Sequence, residues 1–251
     1  MVKKIVKYVS RKLVNLSQLL EEPRILSAMF RGIGSSYARD LFIIKKLMQI
    51  VPKTIIDVGA HFGETAKAAR YVFPDAKIYS FEPVPSSYQK LVEETKNLTN
   101  VKTYNFALGN KNKKCGFWFN DFNSASSLLE SENERFKIFE VTKNKTKINV
   151  EMKRLDGLKE IKIKRPFFLK IDVEGAEKLV LEGIGDLMKQ VDILQVEFNF
   201  KRLYKSQTEL GDILKYVKIA GLNSFIQLNR HSTETDGLIY CDLIFFRNVN
   251  V

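Results

Sequence analysis

The chain has 251 residues, 45% hydrophobic and 28% charged, a composition typical of a soluble globular protein with one sizeable α/β core. Two cysteines and two histidines stand in no metal-ligand spacing, and no apolar run is long enough to span a bilayer, so a zinc site, a disulfide framework and a membrane span are excluded. The formal net charge of +12 favours anionic partners, or it reflects lysines that solvate the surface.

Residues 1–50 read as an N-terminal helical segment. Apolar residues recur at helical spacing up to residue 20, with lysines and arginines between them. This pattern favours a packing or oligomerisation helix, and peripheral membrane contact through residues 1–20 is the alternative. The basic start lacks the apolar region of a signal peptide, so we expect a cytoplasmic protein. The stretch "RDLFIIKKLMQIV" predicts a further helix that Pro52 ends.

From Thr54 to Leu108, strands and helices alternate. The order is strand "TIIDVGA", helix "ETAKAARYVF", strand "KIYSFEP", helix "SSYQKLVEETKNL" with Ser86 or Ser87 as its N-cap, and strand "VKTYNFAL". A β-α-β-α-β pattern with short connections predicts a doubly wound, mostly parallel sheet. We place this α/β domain at residues 51–251.

This alternation of strands and helices is interrupted at about residues 110–153, which we interpret as an insertion in the form of a hairpin or a flap beside the site. It resumes with strand "PFFLKIDVEG", helix "AEKLVLEGIGDLM", strand "VDILQVEFN" and helix "TELGDILKYVKIAG". The final strands are "NSFIQL" and "CDLIFFRN", and the last is expected to be an antiparallel edge strand.

In open α/β sheets, ligands bind beyond the carboxyl ends of the strands. Acidic residues follow four of the five such ends. The residues at these ends are Asp57, Gly59, Ala60, His61 and Gly63 after the first strand, Glu82 and Pro83 after the second, Ala107 and Leu108 after the third, Asp172, Glu174 and Gly175 after the fourth, and Glu197 and Asn199 after the fifth.

The turn after the first strand differs from the dinucleotide fingerprint G-x-G-x-x-G. His61 stands where that motif has its second glycine, which lets the main chain approach a diphosphate. The turn therefore suits an adenosine ligand without a diphosphate, such as S-adenosylmethionine. Glu82 is placed to accept both ribose hydroxyls, and the helix that begins near Gly63 offers free N–H groups to a carboxylate.

Over roughly residues 54–200 the chain resembles the FkbM-like S-adenosylmethionine-dependent methyltransferases. The resemblance rests on "IIDVGAHFGETA", "YSFEPVPSSYQKL", "NFALGN", "SASSLLE", "RLDGL", "FFLKIDVEGAEKLVLEG" and "VEFN". It implies a Rossmann-like class I methyltransferase domain whose sheet has seven strands. The implied reaction is methyl transfer to a hydroxyl of a sugar, a glycan or another small natural product.

The resemblance also implies roles for single residues. Around the cofactor it implies Asp57, Gly59, His61 and Gly63 at the methionine part, Glu82 at the ribose, Ala107 and Leu108 near the adenine, and Asp172 and Glu174 near the reacting centre. Ala60, Thr65 and Pro83 belong to the same motifs and complete the predicted cofactor-binding set.

A hydroxyl nucleophile benefits from a general base. Asp172 is the first candidate and Glu197 the second, with Lys170 and His61 as alternatives. Asp172, Glu197 and Asn199 could instead hold a Mg²⁺ ion that activates the hydroxyl.

Three further expectations concern neighbouring residues and rival functions. Glu177 and Lys178 read as helix-surface residues. The aromatic residues of the insertion could stack on a sugar or cover the cofactor, with core packing expected for at least two of them: Phe117, Trp118, Phe119 and Phe122. The rival functions are an RNA ribose methyltransferase, a non-catalytic cofactor-binding protein of the same fold and, disfavoured by His61, a nicotinamide dehydrogenase.

Overall fold

The computed structural model describes residues 22–120, 126–132, 145–233 and 237–248. The predictions for residues 1–20, including membrane contact, and for Phe122 lie outside these residues. Within the described ranges, no helix combines the length and the apolar character needed to cross a bilayer.

The described residues form six α-helices and ten strands. The helices are α1 (Pro23–Phe30), α2 (Ser35–Met48), α3 (Glu64–Val72), α4 (Pro85–Thr95), α5 (Glu177–Ile184) and α6 (Leu210–Ala220). The strands are β1 (Thr54–Val58), β2 (Lys77–Phe81), β3 (Val101–Tyr104), β4 (Ala107–Leu108), β5 (Lys113–Asn120), β6 (Lys145–Lys153), β7 (Phe167–Ile171), β8 (Val191–Asn199), β9 (Ser224–Thr233) and β10 (Gly237–Phe246). Short 3₁₀ turns cover Leu155–Gly157 and Gly185–Gln190.

The main sheet confirms the predicted doubly wound α/β fold. Seven strands run in the order β3-β2-β1-β7-β8-β10-β9, and β10 runs antiparallel to β8 and to β9. The prediction that the last strand is antiparallel is confirmed, but its expected place at the edge is wrong, because β10 lies between β8 and β9. The end of β10 is apolar on both faces, with Leu243 and Phe245 in one core and Ile244 and Phe246 in the other, and an interior position buries both faces.

The two faces of the sheet differ. Below one face, α5 and α6 cover a core that includes Leu169 and Val196. On the other face, α1, α2 and α3 pack on Ile55 and Phe168 near the beginnings of the strands. Because side chains alternate along a strand, that second face carries polar residues further along. They are Asp57 on β1, Lys170 on β7, Gln195, Glu197 and Asn199 on β8, and Tyr240 and Asp242 on β10.

A second, three-stranded sheet has the order β4-β6-β5. The predicted strand at 101–108 is therefore divided, since β3 joins the main sheet whereas Ala107 and Leu108 pair with β6. Phe117 and Phe119 pack into the core of this sheet, beside Ala107. Within the predicted insertion, β5 and β6 form an antiparallel ladder.

Two helix ends differ from the predictions. Helix α2 begins at Ser35 and ends at Met48, where Gln49 adopts a left-handed conformation before Pro52 is reached. Helix α4 begins at Pro85 rather than after a serine cap. Proline is favoured there because its ring presets the helical φ and the first helical N–H needs no partner.

Candidate active site

Gly59 allows β1 and β7 to approach each other closely at their carboxyl ends. Its φ of +79° lies in the left-handed region, and a Cβ at this position would come within 1.9 Å of the Asp172 carbonyl oxygen. The N–H groups of Gly59 and Ala60 both donate to the carbonyl of Phe81, at 3.0 Å each. The turn is therefore bound to β2 on one side and lies against β7 on the other, so only glycine fits.

His61 shapes the next step of this turn. It has a φ of +49°, and its ring stacks on Phe62 with 3.6 Å between ring centroids. Its Nδ1 lies 3.5 Å from Oε1 of Glu64, and its backbone N–H donates to Oε2 of Glu82 at 2.9 Å. Gly63, at φ +91°, then caps α3. A residue with a side chain thus stands where the dinucleotide motif has its second glycine.

Glu82 is held at the end of β2 by two backbone donors. Its Oε2 accepts the N–H of His61, and its Oε1 accepts the N–H of Val84, both at 2.9 Å. The side chain is only 6% exposed, and this burial raises the pKa of Glu82 to about 7 despite the two donors. Each carboxylate oxygen has a second lone pair, so Glu82 can still accept ligand hydroxyls.

A buried lysine joins two of the predicted acids. Lys170 Nζ lies 3.1 Å from Oδ2 of Asp172 and 3.5 Å from Oδ1 of Asp57. Asp57 is fully buried, and neither of its carboxylate oxygens has a hydrogen-bond partner among the described residues. Although burial opposes the charge of Lys170, the two carboxylates raise its pKa above the ordinary value. This favours the protonated form of Lys170 and argues against the alternative that it serves as the base.

The turn after β7 contains features that the sequence did not indicate. Glu174 has a φ of +57°, and its carboxylate accepts the hydroxyl of Tyr204. Ser127 Oγ donates to the Glu174 carbonyl at 2.8 Å, which ties the segment before β6 to this turn. Glu177 was expected on the helix surface but is buried, and it accepts the N–H of Gly175 at 2.9 Å. Lys178 is exposed, as expected.

Glu197 lies beside Asp172 at the end of β8. Burial raises the pKa of Glu197 well above its usual value, and the charges of Asp172, Glu174 and Asp242 raise it further. Asp242 is the register partner of Glu197 on β10. Burial and the nearby Asp172 likewise raise the pKa of Asp242 to about 6. This side of the site is therefore strongly acidic.

The remaining predicted residues lie at the same edge of the fold. Ala107 is buried with Val84 and Phe117, next to the loop that follows Glu82. Thr65 is buried in the first turn of α3. Leu108 belongs to the main core, and Pro83 is half-buried. The assignment of these four residues (Thr65, Pro83, Ala107 and Leu108) to the cofactor stays a prediction.

Helix α2 reaches the site by a polar network that the sequence did not indicate. Asn229 Nδ2 donates to Asp40 on α2 and to Asp242 on β10, at 2.6 Å in each case. Arg39 donates to the Asp40 carboxylate at 2.8 Å. Burial, together with the charge of Glu64 and other site groups, raises the pKa of Tyr37 to about 12. An element outside the predicted motifs thus helps to build the site.

The Mg²⁺ alternative gains no support from this arrangement. Among the described residues, no group of three or more histidine, cysteine, aspartate or glutamate side chains is arranged to hold a metal ion. Asp172, the first proposed ligand, is instead paired with Lys170.

Comparison with known proteins agrees with the geometry. Residues 57–223 match the family described as the methyltransferase FkbM domain. The chain belongs to this family. The matched region contains the Gly59 turn, Glu82, the Lys170 pairs and Glu197, whereas α2 and β9–β10 lie outside it. The protein is therefore a methyltransferase with the class I fold.

Several relatives of this FkbM methyltransferase are known. Methyltransferase 1 of Beauveria bassiana is 29% identical over 191 residues, which cover 69% of this chain and 77% of the relative. The 2-O-methyltransferase NoeI of Sinorhizobium fredii is 23% identical over 184 residues, covering 68% and 73%. Among solved structures, magnesium protoporphyrin IX methyltransferase of Synechocystis with bound SAM is 13% identical, with a TM-score of 0.43 over 84% of this chain and 80% of that chain.

Proposed function

We propose that this methyltransferase transfers the methyl group of S-adenosylmethionine to a hydroxyl of a neutral sugar, glycan or similar natural product. The observation that carries the proposal is the position of Glu82 and Asp172 at the carboxyl ends of β2 and β7, on either side of the Gly59 turn. The residues suit an adenosine cofactor without a diphosphate, because His61 replaces the glycine that lets the main chain approach a diphosphate. Glu82 would bind the ribose hydroxyls, and the carboxylates of Asp57 and Asp172 suit a cationic ligand.

When bound, the cofactor supplies an electrophilic methyl group on a sulfonium, and the acceptor hydroxyl oxygen forms the new bond to carbon as the carbon–sulfur bond breaks. The hydroxyl proton then needs an acceptor. The carboxylate of Asp172 is already engaged in an ion pair with Lys170. Glu197 has the raised pKa that a general base needs, so we assign the proton to Glu197 and place Asp172 as the carboxylate nearest the methionine part.

An oxygen acceptor is also supported by a relative, since the name of NoeI states 2-O-methylation. The +12 net charge is the one observation that favours RNA ribose methylation instead. The site itself carries carboxylates at Asp172, Glu174, Glu197 and Asp242, which repel the phosphates of a nucleic acid. We therefore rank RNA second.

A methyl-transfer assay tests the proposal. Purified protein is incubated with S-adenosylmethionine labelled in the methyl group and with separate glycan, lipid and RNA fractions. We expect label in the glycan or small-molecule fraction, and a loss of roughly 100-fold or more in turnover for Glu197→Gln with nearly unchanged S-adenosylhomocysteine affinity.

Three results would count against parts of the proposal. Label found in RNA alone would replace the acceptor class. Normal turnover of Glu197→Gln together with a dead Asp172→Asn variant would return the base to Asp172. Cofactor binding without transfer to any fraction would favour a non-catalytic cofactor-binding protein. Glu93→Gln, an exposed change on α4, serves as the matched control.

A further inference from the structure

We infer that Glu197, Asn199 and Tyr240 form the acceptor-binding subsite, and that this subsite takes a neutral vicinal diol, with one hydroxyl methylated while its neighbour is held. The inference rests on the proposed function and names the substrate class of the same site. Nothing in the family match or in the named relatives assigns Asn199 or Tyr240 a role.

The three side chains share one face of the sheet. Glu197 and Asn199 lie two residues apart on β8, so both project from the same face. Tyr240 on β10 is the register partner of Asn199, and Asp242 is the partner of Glu197. This is also the face of Lys170, so the group continues the row of polar residues that begins at the cofactor side of the site.

The side chain of Asn199 is the decisive observation. It is only 4% exposed, and neither its amide nitrogen nor its amide oxygen has a hydrogen-bond partner within the part of the chain that the structure describes. Leaving a buried polar group without a partner costs about 1–3 kcal/mol, so folded proteins seldom keep one without a reason. A ligand group that both donates and accepts would satisfy it, and a hydroxyl is the smallest such group.

Tyr240 and Glu197 set the charge that the ligand can carry. Burial and the charges of Glu197 and Glu174 raise the pKa of Tyr240 to about 12, so its hydroxyl stays protonated and can donate. Carboxylates surround the subsite, with Asp172, Glu174 and Asp242 all acting on Glu197. A phosphate or carboxylate on the acceptor would be repelled, whereas a neutral hydroxyl can donate to a carboxylate.

The ring of Tyr240 stacks on His231, with 5.0 Å between the ring centroids and 11° between the ring planes. This contact holds the tyrosine ring against β9. A pair of adjacent hydroxyls can therefore meet the tyrosine, the amide and the carboxylate together. A single hydroxyl has one hydrogen, so it cannot donate to the Glu197 carboxylate and to the amide oxygen of Asn199 at once.

Saturation-transfer NMR with minimal probes tests the subsite without knowledge of the natural acceptor. The probes are cis- and trans-1,2-cyclohexanediol, cyclohexanol, the methyl glycosides of common hexoses, and glucose 6-phosphate. They are added to the full chain with and without S-adenosylhomocysteine. We expect saturation of at least one diol and one glycoside, weak signals from cyclohexanol and glucose 6-phosphate, and a loss of about tenfold in diol affinity for Asn199→Ala.

Asn199→Asp keeps the shape of the side chain but removes the donor, and Asn97→Ala, on the exposed turn after α4, is the control variant. Binding of S-adenosylhomocysteine by each variant, measured by calorimetry, shows whether the fold and the cofactor site survive. Cofactor binding without any diol binding, or diol binding that Asn199→Ala and Asn199→Asp leave unchanged, would overturn the subsite while the proposed function stands. Failure of the wild-type protein to bind S-adenosylhomocysteine would instead contradict the proposed function, and the probes without cofactor would still test the diol site.

Discussion

At the residue scale, Glu82 illustrates what could be predicted and what could not. Its place after the second strand predicts a ribose acid from sequence alone. Its two backbone partners, His61 and Val84, belong to two different loops, and their convergence depends on tertiary packing. The same holds for Lys170, which sequence offered as a base and which the fold places between two carboxylates.

The raised pKa of Glu82 gives a pH-dependent prediction. Ribose hydroxyls donate to the ionised carboxylate, so we expect S-adenosylhomocysteine affinity to increase as pH rises through about 7, by up to about tenfold between pH 6 and 8. The effect of pH on the stability of the folded state through Glu82 has the opposite sign to its effect on cofactor affinity. The folded state holds this proton more tightly than the unfolded state, so the contribution of Glu82 to stability is present below the ordinary glutamate pKa of 4.5 and is lost as pH rises through about 7.

Calorimetry of S-adenosylhomocysteine binding across this pH range measures the effect. In Glu82→Gln the pH step should disappear and affinity should fall at every pH, whereas Glu93→Gln, exposed on α4, should behave like wild type. A pH step that persists in Glu82→Gln would assign the titration to another group and remove Glu82 as the ribose acid.

At the scale of elements, α2 is the least expected part of the site. Its apolar residues pack with α1 and α3 against the sheet. Helical spacing of apolar residues can predict a helix that packs, but not the surface against which it packs. Asp40 and Asn229, which connect α2 to β10, are separated by most of the length of the sequence. No sequence motif indicates this contact. Strand β9 has a bulge opposite Tyr240 and Asp242. Asn229, which has a φ of +48°, lies beside this bulge.

Removing the Asp40 carboxylate should loosen α2. Asp40→Ala removes one acceptor from Arg39 and one from Asn229, so we expect a loss of about 1–3 kcal/mol in the free energy of unfolding. Urea denaturation measures this loss, and hydrogen exchange should become faster within Ser35–Met48. Asp75→Ala, at an exposed position before β2, should change stability by less than about 0.5 kcal/mol. Equal stability and protection for both variants would show that the network does not hold the helix.

At the scale of the whole molecule, charge is distributed unevenly. The chain carries a net charge of +12, yet the described site is built mainly from carboxylates, with Lys170 as the buried cation between two of them. Composition left open whether this charge serves anionic partners or only solvates the surface. The proposed function, with a cationic cofactor and a neutral acceptor, agrees with the acidic site and does not use the basic surface.

Cofactor choice can be tested on the intact protein by its melting temperature. A ligand at about 100 times its Kd stabilises the folded state by about 2.7 kcal/mol, which raises the melting temperature of a chain this size by about 5–10 °C. We expect such a shift with S-adenosylhomocysteine and none with NAD, because His61 replaces the glycine that a diphosphate site needs. A larger shift with NAD would contradict the cofactor assignment and favour a dehydrogenase.

The sequence by itself determined the alternating strands and helices, the positions of the strand ends and the acids that follow them. These features are local, since periodicity, glycine turns and spacing are written along the chain. Tertiary structure alone decided that β10 lies inside the sheet, that Lys170 joins Asp57 to Asp172, that α2 reaches Asp242, and that Asn199 is buried with no hydrogen-bond partner among the described side chains and backbone groups. Each of these depends on contacts between residues far apart in sequence, which no local pattern specifies.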